Sequence, residues 1–381
     1  MLRQRVVRRA ALAVAIMAAG TLPATSMSDA TLSFTDLSGW ADAPVAASLS
    51  VFRRHCERLA SRAPEFRRVC EAQAALPDDL DDGAARAFFE TWFRPERIGA
   101  PGSGFLTGYF EPELAASHTR SDAYPVPVLA RPDDLVAIDA ASRPEHLPDG
   151  MAFARQTPEG LKPYADRAAI EAGALDGRGL EIAWLADPVD AFFMHVQGSA
   201  RLRFDDGSTL RVNFAAKSGH PYTAIGRIVV EEGHVARENL DYETLRAWLK
   251  ANPDEARRIM AQNRSYIFFR PVEGLSEDDG PVGAAGVPLT PEVSLAIDRA
   301  HHEFGVPLWI DARLPIGEAG AEEPFRRLMV GEDRGSAIVG EARGDVFLGS
   351  GDAAGDRAGR IQHTATLYRL VPVELDGSGD R

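Results

Sequence analysis

The sequence predicts a mainly β protein with helices at its N-terminal end. Near the C-terminus two short apolar runs, Ala337-Ile338-Val339 and Val346-Phe347-Leu348, are fenced by glycines, the pattern of short buried strands joined by tight turns. In the middle, Leu202 to Phe214 reads as a hairpin that turns at Asp205-Asp206-Gly207-Ser208. Toward the N-terminus, Leu49, Phe52, Cys56 and Leu59 have helical spacing, as do Phe66, Val69, Cys70 and Ala74 after Pro64.

The remaining segments follow in order. Phe105 to Pro112 alternates poorly and predicts a buried strand or a groove wall. Residues 113–178 are rich in Pro, Asp and Arg and read as loops and short strands, apart from a short helix over Tyr164 to Leu175 capped by Asp166. Ile182 to Arg201 suggests two strands flanking a turn at Asp187-Pro188. Tyr242 to Leu249 and Pro253 to Gln262 are amphipathic helices. Asn263 to Phe269 is a buried strand leading into the C-terminal domain, and Val293 to Phe304 has room for a short helix. His301-His302-Glu303 lacks the second-turn histidine of a zinc protease and reads as surface. Gly349-Ser350-Gly351-Asp352 is not followed by an apolar helix, which argues against a nucleotide loop.

A chain of 381 residues is long enough for two domains with sizeable cores. The net charge of -14 repels phosphate backbones, so nucleic acid is not an expected partner. Arg3, Arg5, Arg8 and Arg9 precede an apolar stretch, Ala10 to Ala19, and small residues at Ala24, Ser26, Ser28 and Ala30. Residues 1–30 therefore read as a secretory signal, too short for a comfortable membrane span, with an uncleaved anchor as the alternative. The two cysteines, Cys56 and Cys70, fall on the two N-terminal helices. In an oxidising compartment a disulfide is favoured over two buried thiols. Without neighbouring Cys or His they make no zinc site, and no metal or cofactor is predicted.

Asp333 and Asp345 stand at the predicted entrances of the two glycine-fenced strands, where carboxylates can meet at one site; taken singly, each reads more readily as an Asx-turn or loop residue. As a unit the stretch resembles the three-aspartate domain of lytic murein transglycosylases of the membrane-bound A type. Matches fall at Asp333, Gly335, Ala337, Ile338, Gly340, Asp345, Phe347, Gly349, Gly351, Ala358 and Gly359. The family's Thr-Gly-Tyr motif is similar to Thr107-Gly108-Tyr109. Its Asp-x-Phe-(four residues)-Gln-Gly-Ser-Gly motif is similar to Asp190 to Ala200, where Ala200 replaces the last glycine.

The resemblance implies a double-psi β-barrel plus an inserted second β-barrel-like domain, with a glycan groove between them. The expected organisation is residues 31–112 as the helical N-terminal part of the large domain, 113–216 as the insert, and 217–381 as the remainder, with the barrel at about 281–372. The implied activity is lytic cleavage of the β-1,4 bond between N-acetylmuramic acid and N-acetylglucosamine in peptidoglycan. Asp345 would be the single general acid and base, supported by Asp333 and Asp190. Thr107, Tyr109, Gln197, Ser199, Lys217 and Tyr222 would contact the glycan, although Tyr109 reads equally as a core residue and Lys217 and Tyr222 as loop residues. The alternatives are a two-carboxylate glycoside hydrolase using Asp345 with Asp333, and a cell-wall-binding module without chemistry.

The implied partners are glycan strands and cell-wall synthesis or remodelling proteins, with the chain itself a monomer. Many relatives carry a lipid-bearing cysteine, but no cysteine precedes Cys56, so a soluble periplasmic protein is expected, with association with the outer membrane as the alternative. N-terminal sequencing of periplasmic material should find a mature chain starting between about Ala24 and Ala30; a chain still starting at Met1 contradicts signal removal.

Overall fold

A computed structural model of the protein describes residues 32–139 and 143–373; the predicted export signal lies outside them. Four helices come first: α1 (Ala46–Arg53), α2 (Cys56–Arg62), α3 (Arg67–Ala74) and α4 (Asp82–Trp92). Two adjacent aspartates organise this layer. Asp81 caps α4 by accepting from Ala84 N, and Asp82 accepts from Val45 N and Ala46 N at the start of α1. The helical spacing read from the sequence buries Phe52 among Phe66, Phe88, Phe89 and Phe93. Cys56 and Cys70 form a disulfide between α2 and α3.

β1 (Phe93–Ile98) and β2 (Gly104–Glu111) follow. A second group of elements comprises β3 (Glu113–Ser117), β4 (Val126–Leu129), β5 (Leu135–Ala137), β6 (Phe153–Thr157), β7 (Gly160–Lys162), α5 (Arg167–Glu171), β8 (Glu181–Leu185), α6 (Pro188–Gln197), β9 (Ser199–Phe204), β10 (Thr209–Lys217), α7 (Ile225–Glu231), α8 (Tyr242–Ala251), α9 (Pro253–Met260) and β11 (Ile267–Val272). The chain ends with β12 (Ser294–Ile297), β13 (Pro307–Leu314), β14 (Glu323–Asp333), β15 (Arg343–Ser350), α10 (Asp352–Ala358) and β16 (Gln362–Pro372).

Two barrels result. In the first the strand order is β16-β13-β14-β12-β15-β2, and β2 pairs back with β16 to close the ring; β1 is added outside β16. The pairs β12–β14 and β15–β2 are parallel. Inward residues Leu106, Leu295, Ile297, Val346 and Leu348 fill the barrel, and the helical layer packs on its outside through Trp40 against Trp309. The second sheet runs β11-β10-β9-β3-β8-β4, and a bridge from Ala130 to Phe269 joins its two edges. β5 to β7 form a small separate sheet.

Several expectations are corrected. The insert was expected to end at 216, but β11 pairs with β10 and therefore belongs to the second sheet, which extends to Val272. The closed barrel is completed by β2, from before the insert, rather than by residues 281–372 alone. Val189 to Gln197 is helical, not a strand: Asp187 accepts from Val189 N, Pro188 has the fixed φ of a first helical position, and Gly198 ends the helix at φ 83°. Val293 to Phe304 holds the buried strand β12 instead of a helix, because pairing on both sides outweighs local periodicity. Ala337 to Val339 is a turn with Val339 73% exposed, and Asp333 ends β14 rather than starting a strand. His302 is buried, its Nε2 2.7 Å from the Glu341 carbonyl oxygen. The short helix α10 does follow Gly351; a Cβ at Gly108 would sit 2.8 Å from Ala358 Cα, so the absent side chain lets α10 lie on β2.

Thiol titration of the unfolded, unreduced protein should find no free sulfhydryl. Reduction should lower stability by about 3 kcal/mol, the chain-entropy value for a loop of this size. Two titratable thiols, or a melting curve unchanged by reductant, would count against the bridge.

Candidate active site

The site is built by strand register. Ala296 of β12 pairs with Asp333 of β14 on one side and with Asp345 of β15 on the other, and Asp345 pairs in turn with Thr107 of β2. Residues directly opposite each other in a ladder project to the same face. The row Asp333, Ala296, Asp345, Thr107 therefore crosses the outside of the barrel, because Val346 and Leu348, alternating with Asp345, fill the inside. Phe347 and Tyr109 form a neighbouring row on the outer face, with ring centroids 5.4 Å apart. With Leu289, Ala296 and Ile338 they form a small apolar cluster beside the carboxyls.

The two aspartates are treated differently. Asp333 Oδ1 accepts from Ala284 N at 2.9 Å and Arg334 N at 2.8 Å, and Oδ2 accepts from the Tyr109 hydroxyl at 3.0 Å. These donors favour the charged form, but burial outweighs them and leaves its pKa raised. Asp345 accepts one side-chain hydrogen bond, from Thr107 to Oδ1, and among the described residues no group bonds its Oδ2. Burial pushes its pKa up to about 6, against the opposing pull of the Thr107 bond and the Arg343 charge; Asp333 adds to the rise. Asp345 nevertheless stays partly accessible. The same burial, together with the charges of Asp333 and Asp345, drives the Tyr109 phenol well above its ordinary range, so it remains a donor.

The other expected site residues are distributed as follows. Gln197 Oε1 accepts from Phe110 N at 3.1 Å and so holds β2 against the end of α6. Ser199 is buried at the start of β9, opposite Asn213. Lys217 Nζ lies 3.3 Å from Ser336 Oγ, in the turn that follows Asp333. Tyr222 is 37% exposed. Asp190 sits in the first turn of α6 and pairs with Arg246 and Lys250 of α8, each at 2.8 Å. It lines a separate cavity of about 260 Å³ with Phe110, Tyr242 and Asp352. Among the described residues no hydrogen bond or ion pair joins Asp190 to Asp333 or Asp345. Two participants had not been singled out, the Ala284 amide and Arg343. Arg343 was findable, since a residue two before Asp345 on a strand shares its face.

Residues 105–270 match the family model of the MltA specific insert domain, and residues 293–371 match the 3D domain. The crystal structure of a membrane-bound lytic murein transglycosylase from Agrobacterium tumefaciens is 40% identical, with a TM-score of 0.81 over 90% of this chain and 97% of that one. The chain belongs to the MltA family. The membrane-bound lytic murein transglycosylase A of Vibrio cholerae is 32% identical over 71% of this chain, and the match spans 66% of that relative, just under two thirds of its length. The Escherichia coli MltA structure with bound chitohexaose is 27% identical, with a TM-score of 0.65 over 89% of this chain and 91% of that one. The MltA insert model starts within β2 of the first barrel and ends within β11 of the second sheet.

The Asp345 environment has a cost for folding. Its folded pKa lies above the ordinary 3.8, so the stability it contributes is present below about pH 4 and is lost as pH rises through 6. Asp345→Asn should therefore melt higher than the parent at pH 8, with the gap closing toward pH 4. A variant that melts lower at pH 8 would mean that the site favours the charge.

Proposed function

We propose that this chain is a lytic transglycosylase that cleaves the β-1,4 bond between N-acetylmuramic acid and N-acetylglucosamine in peptidoglycan, with Asp345 as its single acid and base. The observation that carries this is the contrast between the carboxyls: Asp345 keeps a free oxygen and a pKa of about 6, while both oxygens of Asp333 are occupied by donors. A general acid working near neutrality needs a raised pKa and an unblocked oxygen. Asp345 protonates the departing glycosidic oxygen. The muramic 6-hydroxyl, tethered to the same ring, attacks C1 at an effective concentration above that of free water. Its proton returns to Asp345, and the product ends in 1,6-anhydro-N-acetylmuramic acid.

The hydrolase alternative needs a second carboxylate to activate water or attack the sugar. Asp333 is poorly suited, since donors from Ala284, Arg334 and Tyr109 engage both of its oxygens and three of its roughly four lone-pair sites. A binding module has no use for a carboxyl poised near 6. The chitohexaose bound to the Escherichia coli relative supports a glycan ligand for this chain, and the groove proposed for it lies beside Asp345 on the first barrel. In this proposal Lys217 and Tyr222 contact the glycan, Gln197 and Ser199 support the groove wall, and Asp333 orients Tyr109. Asp190 acts at a distance, by fixing α6 against α8. Export to the periplasm completes the proposal; among the described residues no helix is long and apolar enough to cross a membrane.

Mass spectrometry of purified sacculi digested with the protein should find anhydro-muramic ends; reducing muramic ends would favour the hydrolase. Asp345→Asn should lose at least the roughly 10²–10⁴-fold typical of general acid–base catalysis, whereas Asp333→Asn should keep measurable turnover. The acid must start protonated, so kcat/KM should be high below about pH 6 and fall tenfold per unit above it. A profile still rising at pH 8 would reassign the acid.

A further inference from the structure

We propose that Arg343 is a positioning residue for this proton transfer: by donating to Thr107 Oγ1 it turns the threonine hydroxyl onto Asp345 Oδ1 and reserves Oδ2 as the oxygen that gives and takes back the proton. The inference deepens the lytic-transglycosylase reading and rests on it.

The hydrogen-bond inventory determines the direction. Arg343 Nη2 lies 2.7 Å from Thr107 Oγ1, and a guanidinium can only donate. Threonine has one hydroxyl proton and two lone pairs, so with Arg343 on a lone pair its own proton must go elsewhere. The acceptor it reaches is Asp345 Oδ1. A protonated Asp345 then carries its hydrogen on Oδ2, since on Oδ1 it would point at the Thr107 proton. Without Arg343 the hydroxyl is free to rotate and accept from Oδ1, and the acid proton is then held against Thr107 of β2 instead of on the unbonded Oδ2.

Arg343 is itself anchored. Nη1 bonds the carbonyl oxygens of Gly344 and, at 3.4 Å, Phe105, and the guanidinium lies 5.4 Å from the Phe105 ring centroid. It makes no ion pair with Asp345; Thr107 stands between them. A direct pair would hold the carboxyl ionised and remove the acid. The interposed hydroxyl passes on orientation while burial still dominates the titration. The other charged or titratable groups facing Asp345 are Asp333, beyond β12, and Tyr109 of β2; β12 itself offers only Ala296. The proton balance is simple. Oδ2–H passes to the glycosidic oxygen, the muramic 6-hydroxyl proton returns to Oδ2, and the Thr107 proton stays in place throughout.

The test titrates the Asp345 carboxyl by carbon NMR in the full chain, without turnover, alongside the pH profile of anhydro-product formation. Thr107→Val and Arg343→Met should each raise the apparent pKa by about one pH unit and lower kcat more than they change KM. Thr107→Ser should restore the parent value, and Arg343→Lys, which keeps a donor and the charge, covers misfolding of the methionine variant. In the Thr107→Val background the arginine substitution should shift the pKa by less than half its effect in the parent, because its partner is gone. An equal shift in both backgrounds means that Arg343 acts through space alone, and no shift in either means that it does not act; both overturn the inference. If the parent makes no anhydro product while the NMR coupling holds, the reaction assignment fails and the orienting contact stands.

Discussion

The parallel pairing of β2 with β15 is the constraint on which the rest depends. β2 precedes the insert by sequence and β15 follows it, yet their ladder sets Thr107 beside Asp345 and Tyr109 beside Phe347. It also closes the barrel, since β2 pairs with β16 on its other edge. A one-residue slip would turn Thr107 and Tyr109 into the barrel and expose Leu106. The insert therefore interrupts the barrel without loosening it: the strand on which the insert is hung is held on both sides.

Burying two carboxyls on one outer face is costly unless each is provided for. The fold solves this unevenly. Asp333 receives two backbone amides and a phenol, and works as a joint that ties β2, the segment around Ala284 and its own turn together. Asp345 receives one hydroxyl and keeps its second oxygen uncommitted. The small Ala296 between them leaves the carboxyls separated by two strand spacings, roughly 10 Å between backbones.

Two buried charge clusters attach the neighbouring layers. Glu332, fully buried next to Asp333, faces the helices: His55 Nε2 lies 2.6 Å away, Arg54 3.3 Å, and the Ser294 hydroxyl also bonds it. Glu111, at the end of β2, meets Arg201 of β9 at 2.7 Å and the Ser350 hydroxyl at 2.8 Å, so the two barrels share an ion pair where the chain crosses between them. Such pairs add little net stability, but removing one member strands a buried charge, which makes them specific joints.

Much of this was legible in the residue order. The glycine-bounded run from Asp333 to Gly359 and the Thr107-Gly108-Tyr109 motif pointed to the family and made Asp345 the acid to propose, and the helical spacing around Cys56 and Cys70 located the N-terminal layer. Motif and period are local properties, written in residue types at fixed separations. The different parts played by Asp333 and Asp345 were not local, because hydrogen-bond donors from Ala284, Tyr109 and Thr107 reach them only once distant strands are in register. Asp190, alike in sequence, is held by α8 in another cavity, and Ser294 to Ile297 became a strand because β14 and β15 flank it. Which carboxyl exists at which position is a matter of sequence; which of them is left with a free oxygen and a raised pKa is decided by burial and by donors that only the tertiary structure brings together.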